Sequence, residues 1–343
     1  METTPRPSPA AALARARAAA FADPPPRALA GPIVDAHTHV ARARVEELFA
    51  AADLYGVQRL VGICELDRGL ALRERYGDRL VVATTLAWEH RGDPARFAAE
   101  NRALLARAAA EGVRIVKLWF APRIYDRFDG LHLDAPLLDP VFDAIAEHGL
   151  DILVHVADPD RWFVTKYTDV ARYGTKADQY PQLERRLAQY PSVRVLAAHM
   201  GGHPEDLGHL ARLLDRYPNL SLDTSATRWI VRELGRQPEA ARAFFTRYAD
   251  RLLFGTDQLV LDEPDPERYR VRYWIHQMFW ETDVVCPLPL DDPDADGEPV
   301  LRGLALPADV LRRIYWENAE RWLTSPVADA AARGPHERTP ATE

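Results

Sequence analysis

Between Ile33 and Asp257 the chain passes eight times through an apolar run of strand length, and each run leads into a segment of helical character. The runs are Ile33–Val40, Val57–Cys64, Leu80–Leu86, Val113–Phe120, Asp151–Val156, Val193–Met200, Leu220–Ala226 and Arg251–Asp257. They are nearly continuous in Val, Ile, Leu and Ala, the pattern of parallel strands covered on both faces. Between them, Ala95–Ala110 carries apolar residues at helical spacing, and Asp139–His148 ends at Gly149, a good helix stop. Pro204–Tyr217 opens with Pro, Glu and Asp, which suit the positive end of a helix dipole, and Pro307–Leu323 is an amphipathic closing helix. Eight such units predict an α/β fold, a (β/α)8 TIM barrel over residues 32–324. A doubly wound open sheet is the alternative, but no GxGxxG follows the first run. Residues 1–31 read as an Ala/Arg/Pro-rich arm with a short helix around Ala11–Phe21, and 325–343 as a disordered polar tail.

A parallel barrel builds its site at the C-terminal ends of its strands, so the residues at those ends matter most. His37 and His39 end the first run, and residues two apart on a strand share a side, so both imidazoles can face the mouth and clamp one divalent ion. His155 ends the fifth run, His199 the sixth and Asp257 the eighth. A lone histidine at a strand end is an ordinary satisfied polar group. Metal-type ligands at four strand ends on one rim are not, because closure makes the first and eighth strands neighbours. The long connections after the fifth and eighth runs, Asp158–Gln179 and Leu259–Pro307, leave from the same rim, and the acidic stretch Asp291–Glu298 reads as an exposed loop.

Composition narrows the partners. The formal net charge is -8 with no basic stripe, which excludes nucleic acid as a natural partner. No apolar run is long enough to span a membrane. Two cysteines, Cys64 and Cys286, form no CxxC pair and no disulfide framework, so a reducing cytoplasm is the expected compartment. A small-molecule substrate remains, with assembly into a homo-oligomer left open. Only three of the 43 basic residues are lysines, and Lys117 lies inside an apolar run. Arg and Lys are not interchangeable where a neutral amine must form. Arg123, Arg228, Arg161, Lys166 and Lys176 fall near the mouth; singly they read as solvated charges, together as a site for an anion, since guanidinium forks match carboxylates. Trp88, Trp119, Trp162 and Trp229 fall there too and could stack on a planar substrate or simply pack.

The run DAHTHV, the strand-end His155 and His199, the HMGG turn at His199–Gly202, FGTD at Phe254–Asp257 and the ending YWENAERW at Tyr315–Trp322 resemble the amidohydrolase superfamily. The nearest resemblance is to its amidohydrolase-related branch, which includes aminocarboxymuconate-semialdehyde decarboxylase-like enzymes, and it covers Gly31 to Leu323. It implies an enzyme whose metal, usually zinc, is held by His37, His39, His155 and Asp257, with His199 as a ligand or an acid/base. It also implies that Lys117, if carboxylated, bridges two ions; otherwise one ion is expected and Lys117 and His199 meet the substrate. The activity expected is hydrolysis of a small anionic organic substrate by metal-activated water, with Asp257 and His199 catalytic and Arg123, Arg228, Trp119, Arg161 and Lys166 binding substrate. Non-oxidative decarboxylation of an aromatic or unsaturated carboxylic acid is the alternative, and a non-catalytic metal-binding barrel a third reading.

Overall fold

In the computed structural model, which describes residues 21–263 and 265–324, the expected barrel is present. Its strands are β1 (Ile33–His39), β2 (Val57–Cys64), β3 (Leu80–Thr85), β4 (Ile115–Trp119), β5 (Asp151–His155), β6 (Val195–Ala197), β7 (Leu220–Asp223), β8 (Leu252–Leu253) and β9 (Gln258–Leu259). All pair in parallel, in the order β8-β7-β6-β5-β4-β3-β2-β1-β9. Of the expected eighth run, Arg251–Asp257, only Leu252–Leu253 is strand; the strand breaks at Phe254–Asp257 and resumes as β9 just beyond the run. The ring closes through β1, where Ala36 N donates to Phe254 O at 2.8 Å and Asp257 N to His37 O at 2.9 Å. The expectations for residues 1–20 and for the tail lie outside the described residues. No described helix is long and apolar enough to cross a membrane.

The barrel interior is filled by Val34, Ala36, Val61, Ile63, Ala83, Ile115, Leu153, Leu196 and Leu253, closed below by Trp322 of the last helix. This is the packed centre of such barrels, built from alternate residues of each strand. β1 departs from simple alternation. Asp35 pairs with Leu60 and Thr38 with Gly62, so Ala36 and His37 together face the single residue Val61. That extra residue is a β-bulge. Without it Thr38 would follow Val34 and Ala36 inward; with it, His37 and His39 turn into the mouth.

Three further segments differ from the sequence reading. The run Val193–Met200 is strand only to Ala197, because His199 and Met200 adopt left-handed backbone (φ 58° and 53°) and turn the chain. The helix expected from Pro204 starts at Leu207, where the Asp206 carboxylate takes His209 N at 2.8 Å as an N-cap. The acidic stretch Asp291–Glu298 is not simply exposed. It joins strands β10 (Val285–Pro287) and β11 (Val300–Arg302), and it buries Asp292 and Asp294. Asp292 receives Arg232, and Asp294 receives Trp162 Nε1 at 2.6 Å.

The helix Pro266–Glu281 is locked to the barrel by His276, fully buried against Phe254. Trp280 Nε1 donates to its Nδ1 at 3.2 Å, so Nε2 carries the hydrogen and donates to Thr227 Oγ1 at 3.0 Å. Burial, then the nearby Arg272 charge, pushes this imidazole down to about 3. An unfolded chain binds a proton at this position below about pH 6.5 and the folded chain does not. Stability from this group is therefore complete above pH 6.5 and falls as pH drops towards 3, by up to about 1.4 kcal/mol per pH unit. His276→Gln keeps both hydrogen bonds and removes the titration. Denaturant melts at pH 7, 6, 5 and 4 should show the variant losing stability with acid by about one proton's slope less than the unaltered protein. Parallel curves would contradict this.

Candidate active site at the barrel mouth

Two neighbouring strand ends converge on one group of three donor atoms. A ligand atom from each of His37, His39 and Asp257 lies within 4.8 Å of the other two. Asp257 Oδ1 stands 3.1 Å from His39 Nε2 and 3.5 Å from His37 Nε2. Lys117 points into the same mouth, its Nζ 3.3 Å from His37 Nε2. His37 is fully buried, while the side chains of His39 and Asp257 keep about a third of their surface open to solvent. The backbone at this rim is unusual: His199, Ala226 and Asp257, following β6, β7 and β8, all have φ between 58° and 69°. Non-glycine residues seldom adopt that conformation, and it clusters at functional sites.

Two residues that the sequence reading passed over, Asp223 and Ser225, organise the imidazoles. His37 Nδ1 lies 2.9 Å from Asp223 Oδ2, and Asp223 Oδ1 accepts from the backbone N–H of His199 (2.8 Å) and of Ser225 (2.9 Å). The Ser225 hydroxyl also donates to Asp223 Oδ1, so its oxygen accepts from His199 Nδ1 at 2.7 Å. Both rings are thereby held with the hydrogen on Nδ1 and the lone pair on Nε2, which in His37 faces Lys117 Nζ. Burial opposes ionisation of Asp223, but the charge and hydrogen bond of His37, followed by His199 and Ser225, hold its carboxyl well below the usual range. Asp223 ends β7, in SLDTS, and an aspartate at a strand end of the same rim is the signal that could have found it.

His155 is placed differently from the other expected ligands. Its Nε2 lies 3.0 Å from Asp158 Oδ1, a carboxylate that also receives the Tyr167 hydroxyl. His155 therefore meets the mouth through its ring, edge-on to His199 at 4.5 Å between centroids, and it is outside the three-donor group of His37, His39 and Asp257. With Nε2–H given to Asp158, Nδ1 is the atom left to bind an ion. The two strand ends are pressed together at Gly202, where a Cβ would sit 2.1 Å from Ala157 O and φ is +73°. No side chain fits there, which explains the glycine of the HMGG turn.

Burial is the largest influence on His37, His199, Lys117 and Asp257. It pushes His37 down to about 4 and, with the neighbouring His155, takes His199 well below the usual imidazole range. Burial brings Lys117 down to about 8. For Asp257 burial works the other way, yet the His39 hydrogen bond and the charges of His199, His37 and His39 hold its carboxyl well below the usual range. Neutral imidazoles and an ionised carboxylate are the protonation states in which these side chains bind a divalent cation. The donor set thus fits one such ion.

The expected substrate residues divide. Trp229 lies edge-on to His199 (5.3 Å) and His155 (6.1 Å), and Trp162 lies edge-on to Trp229 at 5.0 Å. Lys166 sits 3.3 Å above the Trp162 ring and 3.5 Å from Asp294, and Arg161 pairs with Asp296. The acidic stretch therefore already meets both of those charges. Lys176 is paired with Asp160 and Glu205. Trp88 packs among Phe97, Phe120 and Phe128, and Trp119 is half-buried with Arg127 against its ring. Arg123 is exposed. Arg228, near the start of the helix Thr227–Gly235, has its Nε shielded from solvent with no hydrogen-bond partner among the described residues.

A TIM barrel with a histidine–aspartate centre at the strand ends defines an enzyme class, and comparison with known families refines it. Residues 34–324 match the family model described as Amidohydrolase, and the chain belongs to that family of metal-dependent enzymes. No curated protein matches it significantly. An uncharacterised TIM-barrel protein from Bordetella bronchiseptica superposes with a TM-score of 0.52 at 18% identity, covering 88% of this chain and all of that one. A putative 2-pyrone-4,6-dicarboxylic acid hydrolase from Pseudomonas putida gives 0.52 at 16% identity, with 85% and 96% covered. A 2,6-dihydroxybenzoate decarboxylase from Rhizobium gives 0.51 at 13%, with 86% and 98% covered. At these identities the likeness is one of fold.

Asp223→Asn removes the charge that orients both imidazoles while keeping the side chain's size. Loss of such a supporting group typically costs 10–100-fold in metal affinity. Competition titration with a chelating dye should show a loss of that order in the variant, with its circular dichroism unchanged. Unchanged affinity would contradict the orienting role.

Proposed function

We propose that the chain is a metal-dependent hydrolase acting on a small, planar, anionic organic substrate. The observation that carries this reading is the Asp257 carboxylate, 3.1 Å from His39 Nε2 and 3.5 Å from His37 Nε2, with its own side chain open to the mouth. A divalent cation, zinc by the nature of the imidazole and carboxylate donors, supplies Lewis acidity at a substrate oxygen when held by His37, His39 and Asp257. His155 is the proposed further ligand, through Nδ1. Asp257 is ionised, so it accepts the proton of the attacking water and later returns it to the leaving group. His199 is neutral and fixed through Nδ1, so its Nε2 takes a share of the same proton transfer. Lys117, buried and lowered to about 8, holds a positive charge close to His37 and steadies the developing oxyanion. Trp229 and Trp162, edge-on to each other beside His199 and His155, offer aromatic contacts to the substrate. Cys64 and Cys286 are free thiols, which suits a reducing cytoplasm.

Decarboxylation of an aromatic acid is the second reading, favoured by that tryptophan pair beside His155 and His199. A fold neighbour from Novosphingobium aromaticivorans, a 5-carboxyvanillate decarboxylase with a TM-score of 0.50 at 17% identity and with 81% and 79% of the two chains covered, holds manganese and a nitrobenzoic acid. The two reactions differ in product: hydrolysis incorporates oxygen from water, decarboxylation releases carbon dioxide. Turnover of lactone and phenolic-acid panels in H2(18)O, read by mass spectrometry, separates them.

Asp257→Asn keeps the shape of the side chain and loses the proton acceptor. On whichever substrate turns over, kcat should fall by on the order of 100-fold or more, with KM changed much less. Near-normal kcat with metal bound would move the proton transfer to His199.

A further inference from the structure

The hydrogen of His155 sits on the opposite ring nitrogen from that of His37 and His199, and two residues outside the donor group impose this. His155 ends β5, and Asp158 follows on the turn that leaves the strand. That turn is held in place, since Ala157 is the residue pressed against Gly202. His155 Nε2 lies 3.0 Å from Asp158 Oδ1, and a carboxylate that only accepts requires the hydrogen to be there. The other oxygen, Asp158 Oδ2, accepts the Tyr167 hydroxyl, which has no other acceptor among the described residues. Asp158 and Tyr167 are each 1% exposed, so water does not compete for these bonds. Burial, then the Asp158 charge, pushes the Tyr167 hydroxyl far above the ordinary tyrosine range, and it stays a donor. Its ring is held by Phe163 at 5.2 Å and Tyr173 at 5.1 Å between centroids. His155 Nδ1, in contrast, makes no hydrogen bond among the described residues and is not sealed from solvent.

A buried carboxylate is costly, and packing alone would be served as well by apolar side chains of similar volume. What the pair adds is direction: one oxygen for the imidazole, the other occupied by the phenol. We propose that Asp158 and Tyr167 are positioning residues that keep the His155 hydrogen on Nε2 and so present Nδ1 to the mouth as a lone pair. The inference rests on the reading of this mouth as a metal centre and supplies the reason His155 ligates through Nδ1 while His37 is set to ligate through Nε2. Tyr167 belongs to the long connection after β5, whose Trp162 is tied to Asp294 and lies edge-on to Trp229. The hydroxyl that completes the orientation of His155 therefore arrives with the segment that brings Trp162 to the mouth.

Asparagine at position 158 tests this without turnover. In Asp158→Asn the Tyr167 hydroxyl still needs an acceptor and takes the amide oxygen. The amide NH2 then faces His155 Nε2 and donates to it, so the imidazole hydrogen moves to Nδ1. Tyr167→Phe alone leaves the carboxylate, and the hydrogen stays on Nε2. In the double variant the amide is free to turn, and an ion at Nδ1 draws it round. The full-length proteins are labelled with nitrogen-15 in their histidine rings and freed of metal by a chelator. Spectra at about pH 8, where an ordinary imidazole is neutral, show which ring nitrogen carries the hydrogen. The His155 signals are those missing from a His155→Gln protein, and zinc affinity is measured on the same samples by dye competition. The hydrogen should lie on Nε2 in the unaltered protein and in Tyr167→Phe, and on Nδ1 in Asp158→Asn. Zinc should bind Asp158→Asn more weakly by on the order of 10-fold or more, and the double variant should recover to within a few-fold of Tyr167→Phe. Hydrogen on Nδ1 in the unaltered protein, hydrogen on Nε2 in Asp158→Asn, or a loss of zinc affinity that the double variant does not recover would each overturn the proposal. A reversed hydrogen with unchanged zinc affinity would support the positioning role and take only His155 out of the metal's ligands.

Discussion

One buried carboxylate sets the geometry of the mouth. Asp223 has no solvent contact, and a charge in that position is tolerable only if every lone pair is used. It is met by His37 Nδ1, the backbone N–H groups of His199 and Ser225, and the Ser225 hydroxyl. Those bonds join three strand ends. They fix the hydrogen on Nδ1 of two imidazoles and leave Nε2 of each as a donor. A catalytic centre needs its groups held to within a fraction of an ångström, and in this candidate site a single carboxylate orients two imidazoles.

The remaining irregularities of the barrel serve the same end. The bulge at Ala36–His37 turns His37 and His39 inward. The eighth strand breaks at Phe254–Asp257 so that Asp257 can turn back on β1. The break leaves backbone groups without ladder partners, and nearby residues take them up. Thr256 N donates to Asp35 Oδ1 at 3.1 Å, Gly255 N to Thr224 Oγ1 at 3.1 Å, and Phe254 N to Ile314 O at 2.9 Å. Ile314 lies in a π-helical turn, Arg313–Glu317, a wider turn of the kind often found at functional sites. Asp35 also accepts from Thr256 Oγ1 and Tyr273, and burial raises its carboxyl to about 7.

The sequence made the barrel legible because eight apolar runs of similar length leave little choice of architecture, and β2 matches its run to the residue. The convergence of His37, His39 and Asp257 was legible from ring closure alone. What one sequence could not show depends on contacts between distant segments. The bulge in β1 is a matter of register against β2, invisible in a local pattern. Asp223 and Ser225 look like ordinary strand-end polar residues until His37 and His199 are placed beside them. The acidic stretch Asp291–Glu298 has the composition of a solvated loop. Its aspartates are drawn in because the helix at Asp160–Thr165 and the helix at Thr227–Gly235 bring Arg161, Lys166, Arg232 and Arg236 to the same rim.

The central claim is that Asp223 and the bulged β1 present His37, His39 and Asp257 to one divalent ion. Crystals grown with manganese and measured across the manganese absorption edge test it directly, since the anomalous signal locates the ion and counts it. The account predicts one peak, bonded to Nε2 of His37, Nε2 of His39 and a carboxylate oxygen of Asp257, with an unmodified Lys117 beside it. A peak away from these three residues would contradict the assignment, and two peaks bridged by Lys117 would replace the single-ion centre with a binuclear one.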